Sequence, residues 1–274
     1  METAAPAAVA GLIEGRLDLA EIGAIPVVEA VLGGHDLVIV AAPEPVNALF
    51  VLARGDIAGP AGLAGGRLGV LSAEGQTGVT VRAMVERWGL ARAVELTALG
   101  TYPRIYAAIA AGEIEAGVLS ADWRFAGAAA HGMNALVDLG EAFGFQGPVI
   151  TTSRRLITAA PNRVRAVVRG YIEAIHLFKT DRATVLPLLA EHLGFDDREA
   201  VAAAYEFYVP RFQELPRPSA TGLQRIIDLF AERDPGARAM NAAGVCETGF
   251  LDEFAKDGLI GRLYGRPHPP SLGR

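Results

Sequence analysis

Residues that could bind a ligand or take part in chemistry are concentrated in short turns that follow predicted strands. The turn with the most such residues is Ser-Ala-Glu-Gly-Gln-Thr-Gly at 72–78. It precedes an amphipathic helix, so the unpaired N–H groups of the first helical turn can hold an anion or a carbonyl oxygen. The candidate ligand-binding residues of this turn are Ser72, Glu74, Gln76, Thr77 and Gly78. If Glu74 points inward, a ligand with N–H donors fits better than a sulfonate or a phosphate. The alternative is a capped helix start with a glycine-rich turn, and the glycine spacing excludes a nucleotide-binding loop.

Three further turns carry candidate ligand contacts. They contribute Gly23, Ala24 and Ile25 in the first half of the alternating region, and Tyr102, Ser120 and Trp123 in the second. Tyr102 and Trp123 can stack on a flat ligand, since each joins a polar handle to an apolar ring. Packing against a neighbouring helix is the alternative for both. If Trp123 lies in a cleft, Trp123→Ala weakens ligand binding more than it lowers stability.

Residues for catalysis or metal binding form no recognisable motif. The histidines at positions 35, 131, 176, 192 and 268 show no His-Glu-x-x-His or similar spacing, and no Gly-x-Ser-x-Gly turn occurs. Cys246 is the single cysteine, which excludes an internal disulfide and a site built from several thiolates. We therefore predict no catalytic residue, no metal and no cofactor.

Two of these turns, the ones that begin at Gly23 and Ser120, belong to a pattern that occurs twice, 97 positions apart. Residues 10–24 and 107–121 each read as a helix end, a glycine, a charged residue, an apolar–acidic–apolar strand and a pair of small residues. Gly15 and Gly112 are expected to take up the left-handed conformation that ends a helix. Small residues after a strand allow close approach at the strand end, where open α/β sheets bind ligands. The repeat predicts two similar lobes that face one cleft.

Around the repeat, strands and helices alternate through residue 153. Predicted strands are short apolar runs at 17–22, 37–42, 49–53, 68–71, 94–99, 114–119 and 135–139. The segments between them have apolar stripes at helical spacing. This predicts an α/β fold with parallel sheets. After Pro161 the pattern becomes mostly helical, and Ser219 is a predicted N-cap.

The repeat also predicts that part of the first lobe is missing. The second copy is preceded by a strand, a helix and a strand between residues 68 and 99, and shifting these back by 97 positions leads to positions before residue 1. We therefore interpret the chain as an N-terminally shortened version of a larger parent. The alternative is that the C-terminal helices fill the gap.

Composition limits the class of protein. Of 274 residues, 31 are Asp or Glu and 25 are Lys or Arg, which gives a formal net charge of −6. The length is natural for two lobes. The acidic balance and the lack of a basic run argue against a nucleic-acid partner. No apolar stretch reaches the roughly 18 residues that span a bilayer, and the N-terminus lacks the basic start and apolar block of a secretory signal.

Several phrases then occur in a specific order: Ile-Glu-Gly-Arg-Leu-Asp at 13–18, a strand at 49–54, Gly-Leu-Ala-Gly-Gly-Arg-Leu-Gly-Val at 62–70, the loop 72–78, Thr-Thr-Ser at 151–153 and Pro-Ser-Ala-Thr-Gly-Leu-Gln at 218–224. In this order the chain resembles the substrate-binding proteins of bacterial ABC importers. The nearest group is the sulfonate, nitrate and taurine branch, which is SsuA-like and related to the NMT1/THI5 domain. Two features depart from that family: the opening strand–helix–strand is absent, and Glu74 replaces a small or hydroxyl residue.

The resemblance implies a type II periplasmic-binding-protein fold, in which two α/β lobes joined by crossover strands enclose a ligand cleft. Lobe I would comprise 1–54 and 149–274, and lobe II 55–148, with crossings near 49–54 and 149–153. It implies a non-enzymatic monomer that delivers a sulfonate or taurine, a nitrate-like anion or a thiamine-precursor pyrimidine to an ABC permease. A full-length parent would be periplasmic, and the chain as written cytoplasmic.

Two other functions stay open. An enzyme similar to the thiamine pyrimidine synthase would need a cysteine-rich iron motif, which a chain with one cysteine lacks. A cytoplasmic ligand-sensing module would agree with the missing signal, but no helix-turn-helix or other output domain is recognisable.

Overall fold

The computed structural model describes residues 5–232 and 235–266, and it alternates between strands and helices up to residue 153. The strands are β1 (Leu19–Gly23), β2 (Leu37–Ala41), β3 (Leu49–Ala53), β4 (Arg67–Val70), β5 (Glu95–Ala98), β6 (Ala116–Ser120), β7 (Asn134–Asp138) and β8 (Pro148–Ser153). The helices of this part are α1 (Ala5–Ile13), α2 (Ala24–Leu32), α3 (Gln76–Arg87), α4 (Tyr102–Ala110), α5 (Ala121–His131) and α6 (Leu139–Phe143), with a 3-10 turn at Pro60–Leu63. Each predicted strand overlaps an observed one, so the predicted alternation is confirmed. Residues 1–4, on which the argument about a secretory signal rests, lie outside the described residues.

The remainder of the described chain is helical, as predicted. Its helices are α7 (Arg154–Ala159), α8 (Pro161–Thr180), α9 (Arg182–Leu193), α10 (Arg198–Tyr208), α11 (Ala220–Ala231), α12 (Gly249–Lys256) and α13 (Leu259–Leu263), with 3-10 turns at Pro235–Ala239 and Ala242–Val245. Pro161 occupies the first turn of α8, where its missing N–H removes no helical hydrogen bond. Ser219 caps α11, since its Oγ accepts the N–H of Gly222 at 3.0 Å.

The strands form two sheets. The first sheet has the order β1-β8-β2, and the second has the order β5-β4-β6-β3-β7. Strand β8 runs antiparallel to both its neighbours, and so does β3, whereas β4 is parallel to β5 and β6. The paired strands of the first sheet are therefore all antiparallel and the second sheet is mixed, so the prediction of parallel sheets was wrong for β3 and β8. The reason is the topology of the chain. Strand β3 follows the first sheet in sequence but lies in the second, and β8 follows the second sheet but lies in the first. Each is inserted between two strands that a helix connects.

The chain passes between the sheets twice, once between Ala41 and Leu49 and once between Asp138 and Pro148. Strand β3 pairs with β6 and β7 over its whole length. Residues 49–53 therefore lie in the second sheet, although the predicted boundary placed them in lobe I. An apolar run indicates a buried strand without specifying its neighbours, since pairing depends on residues distant in the sequence.

The repeat is reproduced element by element. Helix α1, strand β1 and the first residue of α2 return 97 residues later as helix α4, strand β6 and the first residue of α5. Gly15 and Gly112 have φ angles of 74° and 71°, which confirms the predicted left-handed turns. The order β1-β8-β2 also matches β6-β3-β7. Within the described residues, β4 and β5 have no counterparts beside β1.

The two edges of the first sheet are covered differently. At the β2 edge, Ile39 forms a bridge with Cys246, and its carbonyl accepts the N–H of Glu247 at 2.8 Å. No strand of the described chain pairs with the β1 edge. The C-terminal helices pack on faces of the sheets, with α12 against β2 and α10 against α5, and extend neither sheet.

Apolar residues fill the space on both faces of each sheet. One core cluster contains side chains of both sheets, among them Ile39, Val51 and Leu68. A second cluster joins Val38 and Ile150 of the first sheet to α8 and α12, and a third joins Phe50 of the second sheet to α4 and α5. Among the described helices, none combines the length and apolar composition needed to cross a bilayer.

Candidate functional site

A cavity of about 440 Å³ lies between the two sheets. It is lined by Ala5, Glu21, Ile22, Gly23 and Pro148 from the side of the first sheet, by Glu44, Asn47 and Ala48 from the β2–β3 connection, by Leu49, Leu71, Ser72, Gly75, Gln76, Thr77, Gly100, Tyr102 and Ser120 from the side of the second sheet, and by Tyr208 of α10. Strands β1 and β6 end at Gly23 and Ser120, which are equivalent positions of the repeat. The two copies thus present their strand ends to one common cavity.

More than half of the predicted contact residues meet at this cavity. The ones that line it are Gly23, Ser72, Gln76, Thr77, Tyr102 and Ser120. The ones that do not are Ala24, Ile25, Glu74, Gly78 and Trp123. Ligand contact by the six lining residues remains a prediction. Each of the other five residues occupies a defined position elsewhere in the structure.

Residues at the two helix starts pack instead of lining the cavity. Ala24 and Ile25 are fully buried in the first turn of α2, and the Ile25 N–H donates to Oε1 of Gln76 at 2.9 Å. Gly78 lies beneath its own loop, where an added Cβ would stand 2.3 Å from the carbonyl oxygen of Ser72. Glu74 is exposed on the outside of that loop. The condition that Glu74 points inward, under which its carboxylate would favour a ligand with N–H donors, is therefore not met.

Trp123 belongs to an aromatic cluster away from the cavity. It is 8% exposed, and its ring stands 5.0 Å from Tyr106 of α4 and 4.8 Å, edge to face, from Phe195. Phe195 follows α9, so Trp123 joins the C-terminal helices to the second sheet. The packing alternative considered for this residue is the one that the structure shows.

A buried network of amides crosses from one sheet to the other beside the cavity. Nε2 of Gln76 donates to the carbonyl of Gln146 at 3.2 Å, while Oε1 of Gln76 accepts the Ile25 N–H. Nε2 of Gln146 donates to the carbonyl of Glu44 at 2.6 Å, and its Oε1 accepts the Ser219 N–H at 2.6 Å. These bonds satisfy polar groups that would otherwise be costly to bury. They fix α2, α3 and α11 relative to the β2–β3 connection.

Two carboxyl groups line the cavity, and sequence reasoning selected neither. Glu21 lies on β1 and accepts a hydrogen bond from the hydroxyl of Tyr171 at 2.5 Å. Glu44 is 8% exposed, and its Oε2 has no hydrogen-bond partner among the described residues. Acidic residues are common in this chain and form no motif. The usable signal is the position of Glu44 between two prolines, in a short connection between apolar strands.

The environment of Glu44 disfavours its charged form. Burial raises the pKa of Glu44 from 4.5 to about 8, and the nearby charges of Glu21 and Asp122 act in the same direction, while Arg211 lowers it. Asp122 lies at the start of α5 and accepts the hydroxyl of Tyr208 at 3.0 Å. Burial also raises the pKa of Asp122, partly offset by its hydrogen bonds. Acidic groups therefore surround one end of the cavity.

The arrangement is suited to holding a molecule. Among the described residues that line the cavity there is no Lys, Arg, His or Cys. Cys246 lies at the edge of the first sheet, and burial raises the pKa of its thiol to about 12. In residues 5–232 and 235–266, no group of three or more His, Cys, Asp or Glu is placed to share a metal ion. The polar groups present are hydrogen-bond donors, acceptors and carboxyls.

Solved structures share this fold. The alkanesulfonate-binding protein SsuA of Xanthomonas axonopodis pv. citri, bound to MOPS, is 24% identical with a TM-score of 0.71, over 90% of this chain and 86% of its own. The periplasmic aliphatic sulphonate binding protein SsuA of Escherichia coli is 22% identical with a TM-score of 0.67, over 89% and 79%. The desulfurization enzyme DSZB is 18% identical with a TM-score of 0.61, over 87% and 85%. At these identities the likeness establishes the fold, which binding proteins and an enzyme both use.

Sequence comparison identifies the family. No curated protein is similar enough in sequence to count as a relative. The family model described as NMT1/THI5 like matches residues 2–181, which include both sheets and the lining of the cavity up to Pro148. The chain therefore belongs to the NMT1/THI5-like family.

Proposed function

We propose that the chain is a solute-binding protein that encloses a small organic molecule between two lobes, each built around one sheet. The observation that carries this proposal is the cavity at the paired strand ends of the repeat. Its volume of about 440 Å³ suits a small organic molecule, and backbone and side-chain polar groups converge on it. The SsuA proteins with the same fold are described as binding sulfonates, which supports a binding role here.

In this proposal the two lobes close around the solute and the closed form docks on the membrane subunits of an ABC importer. The solute favours closure through its higher affinity for the closed state. The protein works as a monomer in the periplasm, in line with the E. coli SsuA, which is described as periplasmic. The proposed lobes keep the division expected from the sequence, with β3 assigned to lobe II because it pairs with β6 and β7.

An enzymatic role is the less favoured alternative, although DSZB shows that the fold can carry one. The described lining residues include no cysteine or histidine that could serve as nucleophile or base. A cavity with carboxyl, hydroxyl and amide groups and apolar walls is sufficient for reversible binding.

A solute library measured by thermal shift tests the proposal. The library contains sulfonates, carboxylates, amines, amidines and pyrimidines, each at several concentrations with the full chain. A true ligand at 100 times its dissociation constant should stabilise the protein by about 2.7 kcal/mol. Isothermal titration should then give one site per chain, and the solute should be recovered unchanged. A library without any stabilising compound, or conversion of the bound compound, would contradict the proposal.

A further inference from the structure

The charge of the cavity points to the class of solute, an inference that rests on the proposed function. Glu21 and Glu44 line the cavity, and no Lys, Arg or His of the described chain lines it with them. Arg211 is the cation that acts on Glu44, but its guanidinium stacks on the ring of Phe207 at 3.4 Å and donates to the Phe207 carbonyl. Arg211 faces a separate groove beside Asn47. An anionic solute would therefore meet two carboxyls without a compensating cation.

Glu44 also offers an unused hydrogen-bonding atom to the cavity. Its side chain is more than nine-tenths buried, and its Oε2 has no partner in residues 5–232 and 235–266. Nδ2 of Asn47, three residues further along the same connection, is likewise buried without a partner. Buried polar groups are nearly always satisfied in folded proteins, so orphaned atoms that border a cavity indicate the groups that a ligand completes.

The places where an anion would bind are largely occupied by the chain itself. Helix starts attract anions through their unpaired N–H groups. At α2 the Ile25 N–H is bound by Gln76, and at α5 the Ala121 N–H is bound by the carbonyl of Ala48 at 3.1 Å. Asp122, whose carboxyl accepts the Tyr208 hydroxyl at 3.0 Å, adds an acidic group to the first turn of α5. The start of α3 has no side-chain cap, because Gly75 supplies no side chain, and its N–H groups can bind an acceptor atom of the ligand.

From these contacts we infer that the solute is a small organic cation whose N–H groups face the carboxyl of Glu44, and that sulfonates and other anions are poor ligands. An ammonium or amidinium group would donate hydrogen bonds to Glu44 in its carboxylate form, and charge-assisted hydrogen bonds of this kind are short and strong. Ile22, Leu49, Leu71 and Pro148 form apolar walls for the body of the molecule. Tyr102 and Tyr208 add ring surface, which suits a compact or flat apolar body.

Matched compounds test the inference in the full chain. Benzamidine, benzamide and benzenesulfonate share one ring and differ in head-group charge, and butylamine, butyramide and butanesulfonate repeat the comparison on an aliphatic body. We expect the cation of each series to bind at least tenfold more tightly than the sulfonate, measured by titration calorimetry at pH 8. Tighter binding of the sulfonate in both series would overturn the charge assignment while supporting the proposed function.

Two substitutions with the same charge change locate the effect. Glu44→Gln should weaken binding of the preferred cation at least tenfold and should not weaken the sulfonate. Glu74→Gln removes an exposed carboxylate outside the cavity and should change both affinities less than twofold. Far-ultraviolet circular dichroism and a thermal midpoint for each variant verify folding. Equal effects of the two substitutions on cation affinity would sink the inference, whereas failure of every compound in the wider library would contradict the proposed function itself.

Discussion

A carboxyl group held between two prolines, away from water and with one oxygen unpaired, is unstable as an anion. Glu44 meets these conditions, and the cost of ionising it is the reason that its pKa is raised to about 8. Such a group is a poor choice for stability alone, because an apolar side chain would fill the same space without an orphaned atom. Its position at the cavity therefore favours a role in ligand recognition.

The raised pKa of Glu44 predicts a specific pH dependence of stability. Between pH 4.5 and about 8 the folded protein holds a proton that the unfolded chain releases, so stability is full below pH 4.5 and falls as pH rises through the folded pKa. Relative to Glu44→Gln, the wild type should lose on the order of 2–4 kcal/mol of unfolding free energy across this window. Urea titrations at half-unit pH intervals measure the difference, which includes the influence of Glu21, Asp122 and Arg211 on the same carboxyl.

Glu74→Gln serves as the matched control for this pH series. Its stability should run parallel to that of the wild type, since Glu74 is exposed. A wild-type to Glu44→Gln difference that stays constant from pH 4.5 to 8 would show that Glu44 is not protonated in the folded state.

The buried position of Trp123 predicts that replacing it lowers the stability of the protein without weakening ligand binding. Its ring fills a buried space between Tyr106 and Phe195, and truncating a buried Trp costs roughly 3–5 kcal/mol. Trp123→Ala should therefore lower the unfolding free energy by that amount in urea titrations, with ligand affinity within about twofold at temperatures where the variant is folded. Trp123→Phe retains a ring and should lose clearly less. A tenfold drop in affinity with unchanged stability would place Trp123 at the ligand after all.

The sequence allowed us to predict which residues reach the cavity where the local pattern is informative, but not elsewhere. Ser72, Gln76 and Tyr102 lie in turns between a strand and a helix, and such positions meet at strand ends whatever the details of packing. Glu44 and Tyr208 reach the cavity through the β2–β3 connection and a helix far along the chain. Their placement depends on tertiary structure, which a linear pattern does not encode.

At the scale of elements, the contact between the start of α2 and the start of α3 limits how closely the sheets approach. Gly23 has φ −56° and ψ 143°, a conformation open to any residue, so its importance lies in space and not in backbone freedom. An added Cβ at Gly23 would stand 2.6 Å from Cβ of Gln76 and 3.0 Å from its Oε1. The absence of a side chain here lets Gln76 reach the Ile25 N–H.

Gly23→Ala should consequently separate α2 from α3. We expect it to lower the unfolding free energy by roughly 1–3 kcal/mol, as overpacking of a close contact does, and to weaken solute binding at least tenfold. Gly59→Ala is the control, because Gly59 has extended backbone and open space around its Cβ position. Equilibrium unfolding and calorimetry on both variants check the prediction, which fails if the two substitutions behave alike.

The elements themselves were largely predictable from the sequence, with β3 and β8 as instructive exceptions. Short apolar runs and helical stripes place the strands and helices, and a repeat spacing of 97 residues fixes which elements are equivalent. The strand direction of β3 and β8 could not be predicted, because a buried strand is apolar whether its neighbours are parallel or antiparallel. The sheet to which β3 belongs depends on the same long-range pairing.

At the scale of the whole molecule, the C-terminal helices hold the two halves together. Phe207 of α10 contacts Phe50 of β3 edge to face at 6.0 Å, and Tyr208 bonds Asp122 of α5. On the other side, α8 places Tyr171 against Glu21 of β1. Both ends of the helical region thus reach residues at or next to the cavity, so the lobe closure that we propose would require these helices to move as well.

The pairing of β1 makes the two halves of the repeat unequal in hydrogen exchange. Strand β6 is paired on both sides, by β3 and β4, whereas its counterpart β1 pairs with no strand of the described chain except β8. Amides that point to water exchange with deuterium without any opening of the fold. In mass spectrometry, peptides covering residues 19–23 should take up deuterium faster than those covering 116–120, and the preferred cation should slow the former through Glu21, Ile22 and Gly23. Equal rates in the two peptides would mean that some other part of the chain shields β1 in solution.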